Sequence, residues 1–148
     1  YATHAAWLAE RPGDYQPATR ERLEPFAAQP AREYVQALRT RTHLVAAMRT
    51  AVGDVDVLVL PTTRLRATPI GAPAVEIGGR SVPVRPALLA LTLPFNLTGW
   101  PAVSVPFPAP DAGAGGSEFA GLPLGVQVVG VRFEERGVLR VAGALTGA

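Results

Sequence analysis

The stretch Thr92-Leu-Pro-Phe-Asn-Leu-Thr-Gly-Trp-Pro-Ala-Val-Ser-Val-Pro106 limits the fold more than any other part of the chain. Its first half, Thr92 to Trp100, carries turn chemistry. Pro94 fixes its own φ and pushes Leu93 towards an extended conformation. Asn96 and Thr98 have short polar side chains that bond nearby backbone groups. Gly99 permits a positive φ that a Cβ would resist. The second half, Pro101 to Pro106, reads as a short strand limited by proline at both ends. It lacks polar alternation, which predicts a strand covered on both faces. The rest of the chain is then expected to supply that cover.

In chain order, residues 1–30 read as a helical lead-in. Thr3 to Glu10 is predicted as a short helix with Thr3 as N-cap and Trp7 and Leu8 as core contacts. Arg11-Pro-Gly-Asp14 ends it, and Pro17 opens a second helix to about Glu24. Residues 31–148 read as sheet strands with covering helices. Ala31 to Val52 is the strongest helix, with Tyr34, Leu38, Val45, Met48 and Val52 on one stripe, widened by Val35 and Leu44. Gly53 is its expected C-cap. Asp56-Val-Leu-Val-Leu-Pro61 follows as a buried strand, and a helix feeding such a strand is an α/β signature. Thr62 to Arg85 reads as a long connection, extended at Ala74 to Ile77. Pro86 to Leu91 is a short helix. Asp111 to Gly121 is a polar loop, and Gly125-Val-Gln-Val-Val-Gly130 is a buried strand expected to pair antiparallel. Glu134 to Leu145 closes the chain as a helix with Val138, Leu139, Ala142 and Leu145 on its apolar face. The whole is one partial α/β domain.

Composition removes several function classes. The 148 residues are 48% hydrophobic and 18% charged, which opposes disorder. Cysteine is absent, so disulfides, thiolate metal sites and a cysteine nucleophile are excluded. No apolar run is long enough to span a bilayer and no signal peptide opens the sequence, so the cytoplasm is expected. The pI is 9.7, yet the net charge is only +2 and the arginines are scattered, so direct nucleic-acid binding is not expected. All the cations are arginine, and the first residue is Tyr1. The first residue being Tyr1 rather than Met predicts a fragment or processed piece of a longer protein.

The residue types that carry chemistry do not assemble into a site. Ser104, His43 and Asp56 make a triad on paper, but Ser104 lies inside a strand run and lacks the Gly-x-Ser-x-Gly elbow. His4 and His43 lack metal-ligand spacing. Gly115-Gly-Ser117 has no Gly-Lys-Ser/Thr ending and reads as a flexible loop. Asn96-Leu-Thr98 fits a glycosylation acceptor but reads as a buried turn. Asp54 and Asp56 read as caps between helix and strand.

Three motifs, in order and at matching spacing, resemble the amidase signature hydrolases. They are the helix with Tyr34, Ala37 and Arg41 followed by Asp56-Val-Leu-Val-Leu-Pro-Thr-Thr63, then Thr92 to Pro106, then Gly121-Leu-Pro-Leu-Gly-Val-Gln-Val-Val-Gly130 with Phe133 and the closing helix. The resemblance is to the C-terminal part of that family. It implies part of an α/β/α fold around a mixed β-sheet. It also implies hydrolysis of an amide bond by a serine, a second serine in a cis peptide and a lysine, none of which maps onto this chain. No catalytic residue, metal or cofactor is therefore assigned.

The resemblance further implies pocket positions at Leu89, Thr92 and Asn96. Leu89 stands where the glutamine-using transferase subunit is acidic, and an apolar side chain cannot neutralise an ammonium group. A small-molecule amide hydrolase is therefore preferred to the A-type subunit of a tRNA-dependent amidotransferase. A non-catalytic interaction module is the reading from another class. The implied partners are the N-terminal portion of the same domain and a second copy in a homodimer, with no membrane.

Overall fold

The computed structural model describes residues 1–107, 122 and 124–147. The chain divides into two compact units, Tyr1–His43 and Leu44–Ala148. The first contains helices α1 (Ala5–Glu10) and α2 (Pro17–Leu23), three short 3-10 segments, and the start of α3 (Ala31–Val52). Pro17 takes the first turn of α2, where its missing N–H costs nothing. Ala2–His4 forms a 3-10 turn, so His4 rather than Thr3 precedes α1, and it makes no side-chain cap bond. Trp7 is 49% exposed instead of serving as core. Its neighbour His4 is held by Tyr15, whose hydroxyl lies 3.0 Å from Nδ1. On α3 the apolar stripe is real but its first half is uncovered: Tyr34, Val35 and Leu38 are all exposed. Gly53 ends α3 at φ 62°, as its left-handed tolerance predicts.

The second unit is built on a three-stranded sheet of order β1 (Val57–Pro61), β5 (Leu124–Gly130), β4 (Ala102–Phe107), antiparallel throughout. Pairing puts Val59 and Val103 on either side of Val128, and Leu60 and Ser104 on either side of Gln127. Side chains alternate between faces, so these two rows point in opposite directions. One face packs Val105, Val128, Val57, Val103 and Val126 against Val138 and Ala142 of α6 (Glu135–Thr146). The other packs Val129, Leu58 and Leu60 against Met48 and Val52 of α3 and against Phe95 and Trp100. Among the described residues, only the central strand is covered on both faces. The runs around β1 and β4 were expected to be covered likewise, but Val59 is 52% exposed and Ala102, Ser104 and Pro106 are exposed. On one face α6 packs over Val103 and Val105 of β4, and on the other Met48 and Val52 of α3 pack with Leu58 and Leu60 of β1.

A second hairpin, β2 (Ala74–Ile77) with β3 (Arg80–Pro83), turns through Gly78 and Gly79 at φ 58° and 73°. It occupies part of the expected long connection, and leads into α4 (Val84–Leu89). Thr92 to Trp100 is not a turn but a six-residue helix, α5 (Leu93–Thr98). Leu93 is its first residue rather than extended. Pro94 sits in the first turn, where proline suits a helix, and Gly99 closes it at φ 72°. Gly99 and Trp100 both donate their N–H to the Phe95 carbonyl, at 2.9 and 3.3 Å. On α6, Val138 and Ala142 are buried, whereas Leu139 and Leu145 are exposed at 62% and 37%. A Cβ on Gly130 would stand 2.7 Å from Val138 Cγ2, so the bare glycine sets how closely α6 approaches the sheet. Gly115-Gly-Ser117 and the loop around it lie outside the described residues.

Candidate functional site

Polar chemistry in the second unit gathers where the C-terminal end of β1 meets the α4–α5 corner. Gln127 is the organiser. Among the described residues it is the one buried amide side chain, 2% exposed in an otherwise apolar strand. Its Nε2 donates to the Pro61 carbonyl at 3.1 Å and to the Leu91 carbonyl at 3.0 Å. A buried amide group without partners is costly, so these bonds tie the end of β1 and the α4–α5 link to the middle of the sheet. Sequence reasoning missed this residue. The readable signal was a lone polar side chain within Val-Gln-Val-Val, which must find partners if the strand is central.

Beside it, Thr62 donates its N–H to the Gly125 carbonyl at 2.8 Å. Its hydroxyl lies 2.6 Å from the Ser104 hydroxyl. Gly125 is required by this arrangement, since a Cβ there would come within 2.8 Å of Thr62 Oγ1 and 3.2 Å of Ser104 Oγ. Ser104 is therefore a strand residue bonded to a threonine, with no imidazole on it. Asp54 and Asp56 are both exposed. His43 belongs to the first unit.

Leu89, Thr92 and Asn96, the positions expected at a pocket, meet through the backbone. Leu89 ends α4, and its carbonyl accepts both the N–H of Thr92 at 3.1 Å and its hydroxyl at 3.3 Å. Thr92 precedes α5, and its own carbonyl accepts the N–H of Asn96 at 3.2 Å. Leu89 and Thr92 are half-buried, and Asn96 is exposed one helical turn on. The corner thus offers an apolar side chain, a hydroxyl and a carboxamide. Thr98, the third residue of the acceptor pattern, is buried and bonds the Phe95 carbonyl at 3.1 Å, which agrees with a structural role.

Comparison with known proteins assigns this architecture. The Amidase family model matches residues 5–139. The fatty acid amide hydrolase of Medicago truncatula is 35% identical over 127 residues, which is 86% of this chain and 20% of that protein. The A-type subunit of glutamyl-tRNA(Gln) amidotransferase from Synechococcus sp. (strain JA-2-3B'a(2-13)) is 38% identical over 110 residues, 74% of this chain and 18% of that protein. A crystal structure of an amidase superposes with a TM-score of 0.83 at 35% identity, over 97% of this chain and 31% of that one. The chain therefore spans between about a fifth and a third of the length of the relatives it matches.

Proposed function

The chain belongs to the amidase family, and on that premise we propose that it is the C-terminal portion of a domain that hydrolyses a carbon–nitrogen amide bond. The carrying observation is the superposition of nearly the whole chain on a minor share of a solved amidase. In the proposed reaction a serine oxygen attacks the amide carbonyl carbon and its proton passes to a lysine. The carbon–nitrogen bond breaks as the leaving amine takes up a proton, and water then hydrolyses the acyl-enzyme. The 148 residues contain no lysine, so on this reading the base is supplied by sequence outside them, and the two serines are assigned there with it. This portion contributes sheet, covering helices and one pocket wall.

The wall is the α4–α5 corner, with Leu89 against the apolar part of the substrate and Thr92 and Asn96 as hydrogen-bonding groups. Leu89 favours an uncharged amide over a free amino acid, because it offers nothing to an ammonium group. The second reading, an amidotransferase A-type subunit working with partner subunits, draws on the 38% identity to such a protein. No described helix is long and apolar enough to cross a membrane, and a cytoplasmic site of action is part of the proposal.

The test is a chimaera in which this chain replaces the matching segment of the solved amidase. Amide hydrolysis should be retained and should vanish when the host's lysine is replaced. Leu89→Asp should shift preference from apolar amides towards glutamine. A folded chimaera without turnover, or one that uses glutamine better than apolar amides before the substitution, would overturn the hydrolase reading.

A further inference from the structure

A second feature of the sheet end has no role in the proposed amide hydrolysis. Beyond the C-terminal end of β1 lies a cleft of about 270 Å³. Its walls are largely apolar, from Pro61, Leu65, Phe107, Leu124 and Val126. Among the described residues, Arg64 and Arg66 are the two charged side chains on it, and no carboxylate lines it. Arg66 is half-buried, and its Nη1 is shut off from solvent with no hydrogen-bond acceptor among the described residues. A guanidinium does not shed its proton in a protein, so the charge stays and the N–H has given up water for nothing. Arg64 is exposed and keeps its hydration.

We propose that this cleft binds a small organic carboxylate, its apolar body on Leu65, Phe107, Leu124 and Val126 and its carboxylate on the Arg66 guanidinium. Arg66 lines the cleft, and a carboxylate bound against its guanidinium would supply the acceptor that Nη1 lacks. The planar guanidinium matches a carboxylate through two parallel N–H···O bonds. The apolar walls argue against inorganic phosphate, whose larger charge would be stripped of water against a largely apolar surface. The volume lies just under the range of roughly 300–1,000 Å³ that holds drug-sized ligands, so the body is one ring or a short chain. None of the lining residues is Leu89, Thr92 or Asn96, and the inference does not rest on amide hydrolysis.

Ligand-observed NMR titration of the 148-residue chain at fixed ionic strength tests this, with benzoate and hexanoate as probes and benzamide and hexanamide as neutral counterparts. The acids should bind saturably, and the amides about tenfold more weakly or less, because an amide offers no charge to Arg66. Arg66→Gln should erase the preference, Arg66→Lys should keep part of it, and Arg64→Gln should leave it within about threefold, as an exposed charge contributes little. Equal affinity for acid and amide, no saturation by either acid, or an equal loss in Arg64→Gln and Arg66→Gln would overturn the proposal. The acid–amide comparison is made on the unaltered chain and decides the matter even if Arg66→Gln does not fold.

Discussion

At the scale of single residues, the polar contacts of Gln127 and the φ of Gly99 give opposite kinds of constraint. Gln127 holds two carbonyls, of Pro61 and Leu91, from within the sheet. Gln127→Met keeps the approximate volume and strands both carbonyls. The expected loss is about 2 kcal/mol or more, from roughly 1–3 kcal/mol per buried group left unpaired, with the carbonyl of the exposed Pro61 contributing the less of the two. Urea denaturation measures it, and a loss below about 1 kcal/mol would mean that water replaces the amide. In the chimaera the same substitution should raise KM, because the corner carrying Leu89 and Thr92 loses its tie to β5. Gly99 acts through the backbone instead. At φ 72° a Cβ is strained by about 1–2 kcal/mol, so Gly99→Ala should lose that much. Gly13→Ala, where φ is not positive and nothing lies within 4 Å of a Cβ, should change stability little. Equal melting temperatures for the two variants would refute the strain account.

At the scale of elements, α6 separates what is packed from what merely fits a pattern. Val138 is 2% exposed and Leu139 is 62% exposed, although both match the apolar periodicity. Val138→Ala should cost about 2 kcal/mol, as roughly two buried carbons are lost with a residual cavity. Leu139→Ala should stay within about 0.5 kcal/mol in the same chain. If Leu139→Ala proves the costlier change in thermal melts, the face has been misassigned. The same distinction explains what the sequence made legible. The bounds of α3, the left-handed Gly53 and Gly99 and the antiparallel pairing followed from local chemistry and were readable. The helix α5 was hidden because Pro94, Asn96, Thr98 and Gly99 suit a turn as well as a six-residue helix. What decides for the helix is burial of Phe95 and Thr98, a tertiary effect. The exposed faces of β1 and β4 were unreadable for the same reason. Apolar residues mark surface to be covered, but the sequence does not say which neighbour covers it. The corner of Leu89, Thr92 and Asn96 came from family resemblance, whereas Gln127 and the Arg66 cleft emerged only when distant strands were brought together.

At the scale of the whole molecule, the uncovered surface itself makes a prediction. Among the described residues, β1 and β4 each pair on one side only, with β5 between them. Unpaired strand edges recruit other strands unless charge, proline or cover blocks them. Pro61 and Pro106 shield one end of each strand, but Val57 to Leu60 presents a continuous apolar edge. Val59 within it is 52% exposed, and Leu93, Leu97 and Phe107 are exposed at 48%, 40% and 41%. On the proposed reading, the remainder of the domain lies against these surfaces, since the solved amidase is about three times as long as the part matched here. The isolated chain should therefore self-associate, and it should hydrolyse no simple amide, lacking the lysine. Light scattering should show oligomers that grow with concentration. Val59→Lys should reduce them without altering the far-UV circular dichroism, because a charge on an edge strand opposes pairing at little cost to an already exposed position. A monodisperse monomer with one cooperative thermal transition would show that these surfaces need no cover. Association unchanged by Val59→Lys would move the contact from β1 to another exposed surface.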